Sequence, residues 1–315
     1  MPTRPRIITV SLNPAIDRTV EVRDFALGKH QNAREIARIP GGKAINVSRV
    51  LSKLSIFSVA TGFLGQDNRR IFQQLTDGPR IRDEFICLPG ETRVNTTITD
   101  PVRNLDTHLK YPGLEISSDV LAQLEEKLHA LAGPDSAVVF SGSAPPGIAP
   151  QQHCRLVRRC AEAGSRVLVD TSGPALRQLS DQPMWVIKPN LAELQELAGR
   201  ELRGEAERFE FARGLTRHID HVLLSLGSEG ACLFTPQLAL HAAVGIPLSE
   251  VVNTVGCGDA LLAGFLAGLW RAAPVKEAFS DAVALASAAA CTATSAEFHP
   301  DTYSKLRTRV ALTAL

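Results

Sequence analysis

The sequence has little net charge and few aromatic side chains. Its 315 residues include 34 lysines and arginines against 33 aspartates and glutamates, which leaves a formal net charge of +1. A chain so close to neutral gives no electrostatic reason to expect nucleic acid or an anionic membrane as a partner. The longest apolar run, residues 260–270, spans only 11 positions and therefore predicts a buried helix, not a membrane span.

The six cysteines are scattered, with no CxxC pair and no histidine at a metal-ligand spacing. This distribution argues against a disulfide framework or a zinc site and indicates reduced thiols in a cytoplasmic protein. Hydrophobic residues make up 44% of the chain, as in ordinary globular proteins. Because no linker, repeat or low-complexity segment divides the sequence, we expect one domain over residues 1–315.

Residues 252–265 (VNTVGCGDALLAGF) place two glycines and an aspartate directly before an apolar helix. Gly256 and Gly258 permit a sharp turn that aims several backbone N–H groups at one point, which suits a phosphate or a developing negative charge. Asp259 beside such an anion hole is suited to act as a general base that accepts a hydroxyl proton. A helix that is simply capped after a glycine turn explains so short a motif equally well.

A second glycine pair opens a helix at residues 40–47 (PGGKAINV). Gly41 and Gly42 again offer backbone N–H groups to an anion or a hydroxyl group. Asn46, one turn into the helix, is placed to hydrogen-bond a sugar hydroxyl. Lys43 brings positive charge to the helix end where the dipole disfavours it, which indicates either a bound anion or a lysine directed at solvent.

Short apolar runs alternate with helical patterns through much of the chain, which is typical of a parallel α/β sheet. Polar residues follow several of these predicted strands: Asp17, Ser141, Asp170, Lys188 with Asn190, and Ser225 with Gly227. Because ligands bind at the carboxyl ends of parallel strands, we expect a site at this edge. Taken alone, Asp17 is better explained as a loop aspartate that caps a turn. We also predict a capped helix ending at residue 75 and a last helix, residues 303–312, that closes the chain.

Two segments interrupt the alternation, at about residues 18–40 and 90–112. Each contains two short strand-like runs that cannot bury much surface alone, so we expect a small β-sheet lid beside the main sheet. Arg93 in the second segment is placed to bind a phosphate bidentately, with an unpaired edge charge as the equal alternative. Exposed lid edges favour association, which predicts a homodimer through the lid strands.

Together these motifs resemble the PfkB, or ribokinase-like, family of carbohydrate kinases. Both parts of the family signature have counterparts, in residues 40–47 and 253–259, and the resemblance covers essentially the whole chain. Within the family the sequence is most similar to 1-phosphofructokinase, tagatose-6-phosphate kinase and the minor 6-phosphofructokinase. Residues 12–17 (LNPAID), 62–68 (GFLGQDN), 72–75 (FQQL) and 92–95 (TRVN) carry that similarity. The chain departs from the subgroup at Ala44, Cys257 and Ala260, where glycine, alanine and serine are common.

The resemblance implies an α/β fold, a three-layer α/β/α sandwich with a mainly parallel central sheet and a small β-sheet lid. It implies ATP-dependent phosphorylation of a ketohexose phosphate, with conversion of fructose 1-phosphate to fructose 1,6-bisphosphate as the first choice. Tagatose-6-phosphate kinase and 6-phosphofructokinase activities are the alternatives. ATP and Mg²⁺ are the implied cofactors, and a small sugar phosphate is the implied partner.

The resemblance also assigns residues to four groups. The catalytic group is the base Asp259 with the anion-hole amides of Gly256, Cys257 and Gly258. The substrate group is Asp17, Gly41, Gly42, Lys43, Asn46, Arg93 and Ser141, with Lys29 reaching the phosphate from the lid loop. The nucleotide group is Lys188, Asn190, Ser225, Gly227, Thr254 and Gly258. The metal group is Asn190 and Glu193, which act largely through water.

Three other functions compete with this interpretation. A dinucleotide-dependent oxidoreductase requires GxGxxG directly after the first strand, whereas Asn13 and Pro14 stand there. A non-catalytic sugar-phosphate sensor would be favoured by loss of Asp259, which is present. A kinase of free sugars or nucleosides shares the same motifs and is distinguished only by its turnover with different acceptors.

Overall fold

The structure, a computed structural model, describes residues 6–75 and 78–315 and contains two sheets within them. In chain order the strands are β1 (Arg6–Ser11), β2 (Ala15–Glu21), β3 (Arg34–Gly41), β4 (Ser58–Gly65), β5 (Ile81–Leu88), β6 (Val94–Asp100), β7 (Leu105–Leu109), β8 (Ser136–Ser141), β9 (Arg166–Asp170), β10 (Met184–Ile187), β11 (Ile219–Ser225), β12 (Ala231–Phe234), β13 (Ala239–Ala243) and β14 (Ala311–Ala314). The larger sheet has the order β14-β13-β12-β11-β10-β9-β8-β1-β4-β5. Its strands from β11 to β5 pair in parallel, and β12, β13 and β14 add an antiparallel edge.

Helices cover both faces of this sheet. They are α1 (Lys43–Lys53), α2 (Ser118–Leu131), α3 (Pro150–Glu162), α4 (Gly173–Leu179), α5 (Leu191–Ala198), α6 (Gly204–Leu215), α7 (Cys257–Trp270), α8 (Val275–Ala290) and α9 (Pro300–Arg307). Neighbouring residues of β1 point to opposite faces, so Ile7 packs in one core with α1, α7 and α8, and Ile8 packs in another with α2 and α3. The predicted three-layer α/β/α sandwich is confirmed.

The smaller sheet has the order β3-β2-β6-β7 and is built from the two segments that interrupt the alternation. β2 pairs antiparallel with β3 and parallel with β6, while β6 pairs antiparallel with β7. It begins slightly earlier than predicted, because β2 starts at Ala15. We call these four strands the lid sheet.

The structure differs from the predicted secondary structure in three places. The predicted helix that ends at residue 75 is a 3-10 helix over residues 69–75. The last helix ends at Arg307, and the chain then forms β14, whose backbone pairs with β13. Helices α4 and α6 were not predicted. The sequence of α6 has little apolar periodicity, and Ala212 is its one fully buried residue among those described.

All six cysteines have free thiols. In residues 6–75 and 78–315, no helix has the length and apolar character that crossing a bilayer requires.

Candidate active site

The turn before α7 leaves backbone amides free. Gly256 caps α7 with a φ of 84°, and a Cβ at this position would overlap Ser295 Oγ, so only glycine fits. Among the described residues, the N–H groups of Gly256 and Gly258 have no acceptor, whereas the Cys257 N–H donates to Thr254 O at 3.4 Å. Free amides at the positive end of a helix form a suitable anion hole.

The carboxylate of Asp259 lies in the first turn of α7, and only 5% of the residue is exposed. Its Oδ2 accepts a hydrogen bond from Asn46 Nδ2 at 2.8 Å, which joins α7 to α1. Asn46 Oδ1 is buried and has no partner in the described part of the chain. Because an unpaired buried acceptor is costly, this oxygen is suited to accept a hydrogen bond from a ligand hydroxyl.

A buried carboxylate, Asp170, holds two lysines beside this helix end. Its Oδ1 accepts from Lys43 Nζ at 2.9 Å, and its Oδ2 lies 3.4 Å from Lys188 Nζ. Ser141 Oγ donates to the same Oδ2 at 3.3 Å. The Lys188 ammonium lies close to Gly258. A Cβ built on this glycine would be only 3.2 Å from Nζ. A fixed positive charge therefore adjoins the free amides.

Burial and the charges of this cluster move the pKa values of Asp170 and Asp259 in opposite directions. Burial opposes ionisation of Asp170, but Lys188 and Lys43 lower its pKa below the ordinary value. Burial and then the charge of Asp170 raise the pKa of Asp259 to about 7, against the opposing effect of Asn46 and Lys43. A carboxylate that titrates near neutrality is matched to the role of general base.

We expect Asp170→Asn to move the acid limb of the kcat/KM pH profile to lower pH. The base must be ionised, so kcat/KM falls as pH drops through the pKa of Asp259. Removing the neighbouring negative charge lowers that pKa by about one unit. Rates measured between pH 5 and 9 test this, with the exposed Asp181→Asn as the control. An unmoved limb, or one displaced to higher pH, contradicts the assignment.

Asp17 and Asn95 form a second polar group, on the lid sheet. Asn95 Nδ2 donates to Asp17 Oδ1 at 3.5 Å. Burial raises the pKa of Asp17, and Asn95 and Arg93 act in the opposite direction. A Cβ at Gly41 would overlap the Asp17 carboxylate, and Gly42 has a φ of 111°. The glycine pair thus lets the chain pass close to Asp17 before it turns into α1.

The Arg93 guanidinium is largely occupied by the main chain. Nε donates to Pro14 O at 3.1 Å, Nη2 to Asn13 O at 2.8 Å and Nη1 to Tyr111 O at 2.7 Å. These bonds fix the loop after β1 to the end of the lid sheet. A guanidinium has five N–H groups, so two remain for the sugar phosphate that the sequence predicts here.

Other predicted nucleotide ligands lie along the neighbouring strand ends. Ser225 ends β11, and Gly227 follows it with a φ of 64°. An isolated bridge pairs Ser225 with Asn190, close after β10. Thr254 is exposed in the segment that leads to the free amides. Their roles stay predictions.

Asn190 and Glu193 form a reciprocal cap at the start of α5. Glu193 N donates to Asn190 Oδ1 at 2.9 Å, and Asn190 N donates to Glu193 Oε2 at 2.9 Å. The described residues contain no group of three or more side chains suited to hold a metal ion. Mg²⁺ commonly keeps several waters and binds one or two carboxylates together with substrate phosphates. Glu193, with Oε1 outside the cap, fits such a site.

The sequence placed Asp170 at the predicted site edge but gave it no role, and it did not single out Arg49. Asp170 ends a predicted strand, but its two lysine partners are distant in sequence. Arg49 lies one turn after Asn46 on α1, and its guanidinium donates to Ser295 O at 3.3 Å and pairs with Glu297 at 3.2 Å. Lys29 lies in the exposed turn between β2 and β3 and forms no ion pair with any described residue. Its predicted contact with a phosphate stays a prediction.

Comparison with known proteins identifies the family of the chain. The chain matches the pfkB family carbohydrate kinases over residues 10–301. It is 33% identical to the 1-phosphofructokinase of Vibrio cholerae over 84% of this chain and 82% of that protein. It is 31% identical to a tagatose-6-phosphate kinase of Staphylococcus epidermidis over 84% and 85%, respectively. The crystal structure of phosphofructokinase-2 from Escherichia coli in complex with substrates and products superposes with a TM-score of 0.90 at 25% identity, covering 96% of this chain and 98% of that one.

The family match extends over most of the chain, and the fold agrees over nearly its whole length. The chain therefore belongs to the pfkB family of carbohydrate kinases, as predicted, and is a sugar kinase with their ribokinase-like fold.

Proposed function

We propose that the chain transfers the γ-phosphoryl group of ATP to a hydroxyl of a ketohexose phosphate, with fructose 1-phosphate as the preferred acceptor. The observation that carries this proposal is the position of Asp259. A carboxylate with a pKa of about 7 adjoins free amides and the Lys188 ammonium. This arrangement supports removal of a hydroxyl proton next to a site for a transferring phosphoryl group.

The proposed step moves one proton and one phosphoryl group. The acceptor hydroxyl gives its proton to Asp259 as its oxygen bonds to the γ-phosphorus of ATP, and the bond to the leaving oxygen of ADP breaks. The amides of Gly256 and Gly258 and the charge of Lys188 stabilise the negative charge on the transferring group. Asp17 and Asn46 bind sugar hydroxyls and orient the acceptor.

We assign the nucleotide to the side of Lys188, Ser225, Gly227 and Thr254. Glu193 and Asn190 would hold Mg²⁺ there, largely through water. When bound, Mg²⁺ would neutralise charge on the nucleotide phosphates. The structural support is the Glu193 carboxylate, which is buried at the start of α5 in the row of strand ends that contains Lys188.

Relatives named 1-phosphofructokinase support fructose 1-phosphate as the acceptor and fructose 1,6-bisphosphate as the product. The relative named tagatose-6-phosphate kinase supports tagatose 6-phosphate as the second candidate. Fructose 6-phosphate is the third. The discriminating experiment measures ATP turnover with these three phosphates and with free fructose. The proposal expects the highest kcat/KM with fructose 1-phosphate, and a preference for free fructose would contradict it.

We expect Arg93→Ala to act on both folding and acceptor binding. Arg93 donates three hydrogen bonds to carbonyl groups of two loops and so holds these loops together. Losing these hydrogen bonds should lower the melting temperature. Loss of a charged contact should raise the KM for a phosphorylated acceptor about tenfold or more. Thermal unfolding and steady-state rates test the two effects, with the exposed Arg70→Ala as the control. Equal losses with free and phosphorylated sugars would contradict the phosphate contact.

We further propose that the chain is one cytoplasmic domain that assembles as a homodimer through the lid sheet. Two large apolar side chains among the described residues of this sheet are more than half exposed, Ile36 at 53% and Leu105 at 62%. Exposed apolar surface and unpaired strand edges favour association. Light scattering at micromolar concentration should give a dimer mass, and a monomer mass would overturn the assembly.

A further inference from the structure

The pairing of the lid strands brings Lys110 into line with Asp17. Asp17 is paired with Asn95 between β2 and β6, and Thr96 is paired with Leu109 between β6 and β7. Antiparallel register advances by one residue on each strand, so extending it one residue past the end of β7 places Lys110 opposite Asn95. Tyr111 N donates to Asn95 Oδ1 at 3.4 Å, which fixes the backbone beyond this pair.

Residues paired across neighbouring strands point to the same face of a sheet. Asp17, Asn95 and Lys110 therefore form one row on one face of the lid sheet. The Asp17 carboxylate in this row lies against Gly41, shortly before α1 and Asn46. The row thus faces the place that the proposed function assigns to the acceptor, and Lys110 lies at its outer end. Burial raises the pKa of Asp17, and the charge of Lys110 is the smallest of the effects that oppose this rise, in agreement with its position at the outer end.

Three other cations near the acceptor site have protein partners, whereas Lys29, in the turn between β2 and β3, has no ion pair among the described residues. Lys43 is paired with Asp170 at the transfer end, Arg49 with Glu297, and Arg93 donates to three carbonyls. Within residues 6–75 and 78–315, the ammonium of Lys110 has neither an ion pair nor a hydrogen bond, and the residue is exposed. An unpaired cation near the acceptor can bind an anionic group without first breaking a protein contact.

We propose that Lys110 binds the phosphate that the acceptor sugar already carries and thereby sets the preference for sugar phosphates over free sugars. This inference rests on the proposed function. A phosphate at the far end of the sugar from the reacting hydroxyl points away from Asp259 and toward the outer end of the row. Lys110 then supplies an acceptor-phosphate contact from the chain's own lid sheet.

The test compares Lys110→Met and Lys110→Arg with wild type, using fructose 1-phosphate and free fructose as acceptors. Lys276→Met is the matched control, because it removes an exposed lysine at the start of α8. We expect Lys110→Met to lower kcat/KM for fructose 1-phosphate about 10- to 100-fold through KM, with kcat nearly unchanged. Lys110→Arg should restore most of the loss, and the control should behave as wild type.

Two results separate failure of this inference from failure of the proposed function. If wild type uses fructose 1-phosphate and Lys110→Met leaves its KM unchanged, the inference alone is wrong. If wild type prefers free fructose, the proposed function is wrong and the inference falls with it. A loss of kcat for both acceptors, with a lowered melting temperature, would indicate a structural role and would also overturn the inference.

Discussion

Asp259→Asn is expected to lower kcat by about two to four orders of magnitude, the range that general-base catalysis contributes. The amide keeps the size of the side chain and can still accept the hydrogen bond from Asn46 Nδ2, but it cannot take a proton. Binding of ATP and of the acceptor should change little, because the free amides and Lys188 are retained. Steady-state rates and calorimetric titration measure the two quantities separately.

The same variant should be more stable than wild type in alkaline solution. Because burial raises the pKa of Asp259 in the folded protein, ionising this side chain disfavours the folded state. The ordinary pKa of an aspartate is 3.8, and the pKa of Asp259 in the folded protein is about 7. The destabilisation therefore grows as the pH rises from 3.8 to about 7 and persists at higher pH. Asparagine removes it, so the free energy of unfolding should rise by on the order of a few kcal/mol at pH 8 and by less at pH 5.

The pattern of slower turnover with greater alkaline stability distinguishes a catalytic loss from a folding defect. Asp181→Asn, which changes an exposed carboxylate, serves as the control for both measurements. Near-normal turnover in Asp259→Asn would remove the base from the mechanism. If Asp259→Asn is less stable than wild type at pH 8, ionising Asp259 costs the folded protein little. The raised pKa of Asp259 would then be wrong.

Gly256→Ala is expected to lower kcat by up to about two to three orders of magnitude, the cost of losing an anion-hole donor in other enzymes, because alanine keeps its N–H but would move it out of line. An alanine is strained at a φ of 84°, and its methyl group would overlap Ser295 Oγ. Asn46 Nδ2 lies 3.4 Å from the same Oγ, so displacing Ser295 would also disturb the partner of Asp259. Rates and thermal unfolding should be measured together, since some loss of stability is also expected.

Gly214→Ala is the matched control for this substitution. Gly214 lies in α6, has open space around it and does not have a positive φ. Alanine should there leave turnover unchanged and raise helix stability slightly. If Gly256→Ala retains wild-type kcat, the alignment of the amide at position 256 does not affect turnover, and its assignment to the anion hole is wrong.

The two glycine motifs predicted the local backbone at two helix starts, because that backbone depends on residues adjacent in sequence. At Gly256 a left-handed backbone and a helix start follow from residues adjacent in sequence. Asn190 and Glu193, three positions apart, form a helix cap that is equally local. The parallel sheet was also predictable, because polar residues at successive strand ends share one edge.

What the sequence did not reveal depends on contacts between distant segments. Asp170 pairs with Lys43 across 127 positions, so no local pattern announces that pair. The carbonyl partners of Arg93 likewise come from two other loops. β14 is a strand because β13 offers it an unpaired edge, and four residues are too few for periodicity to distinguish a strand from a helix.

The most direct test of the central claim is phosphorus NMR of wild type incubated with ATP, Mg²⁺ and fructose 1-phosphate. The account predicts loss of the ATP γ-phosphate signal with matching growth of a second phosphomonoester on the sugar and of ADP. Release of inorganic phosphate without a sugar bisphosphate, or transfer only when free fructose replaces fructose 1-phosphate, would contradict it.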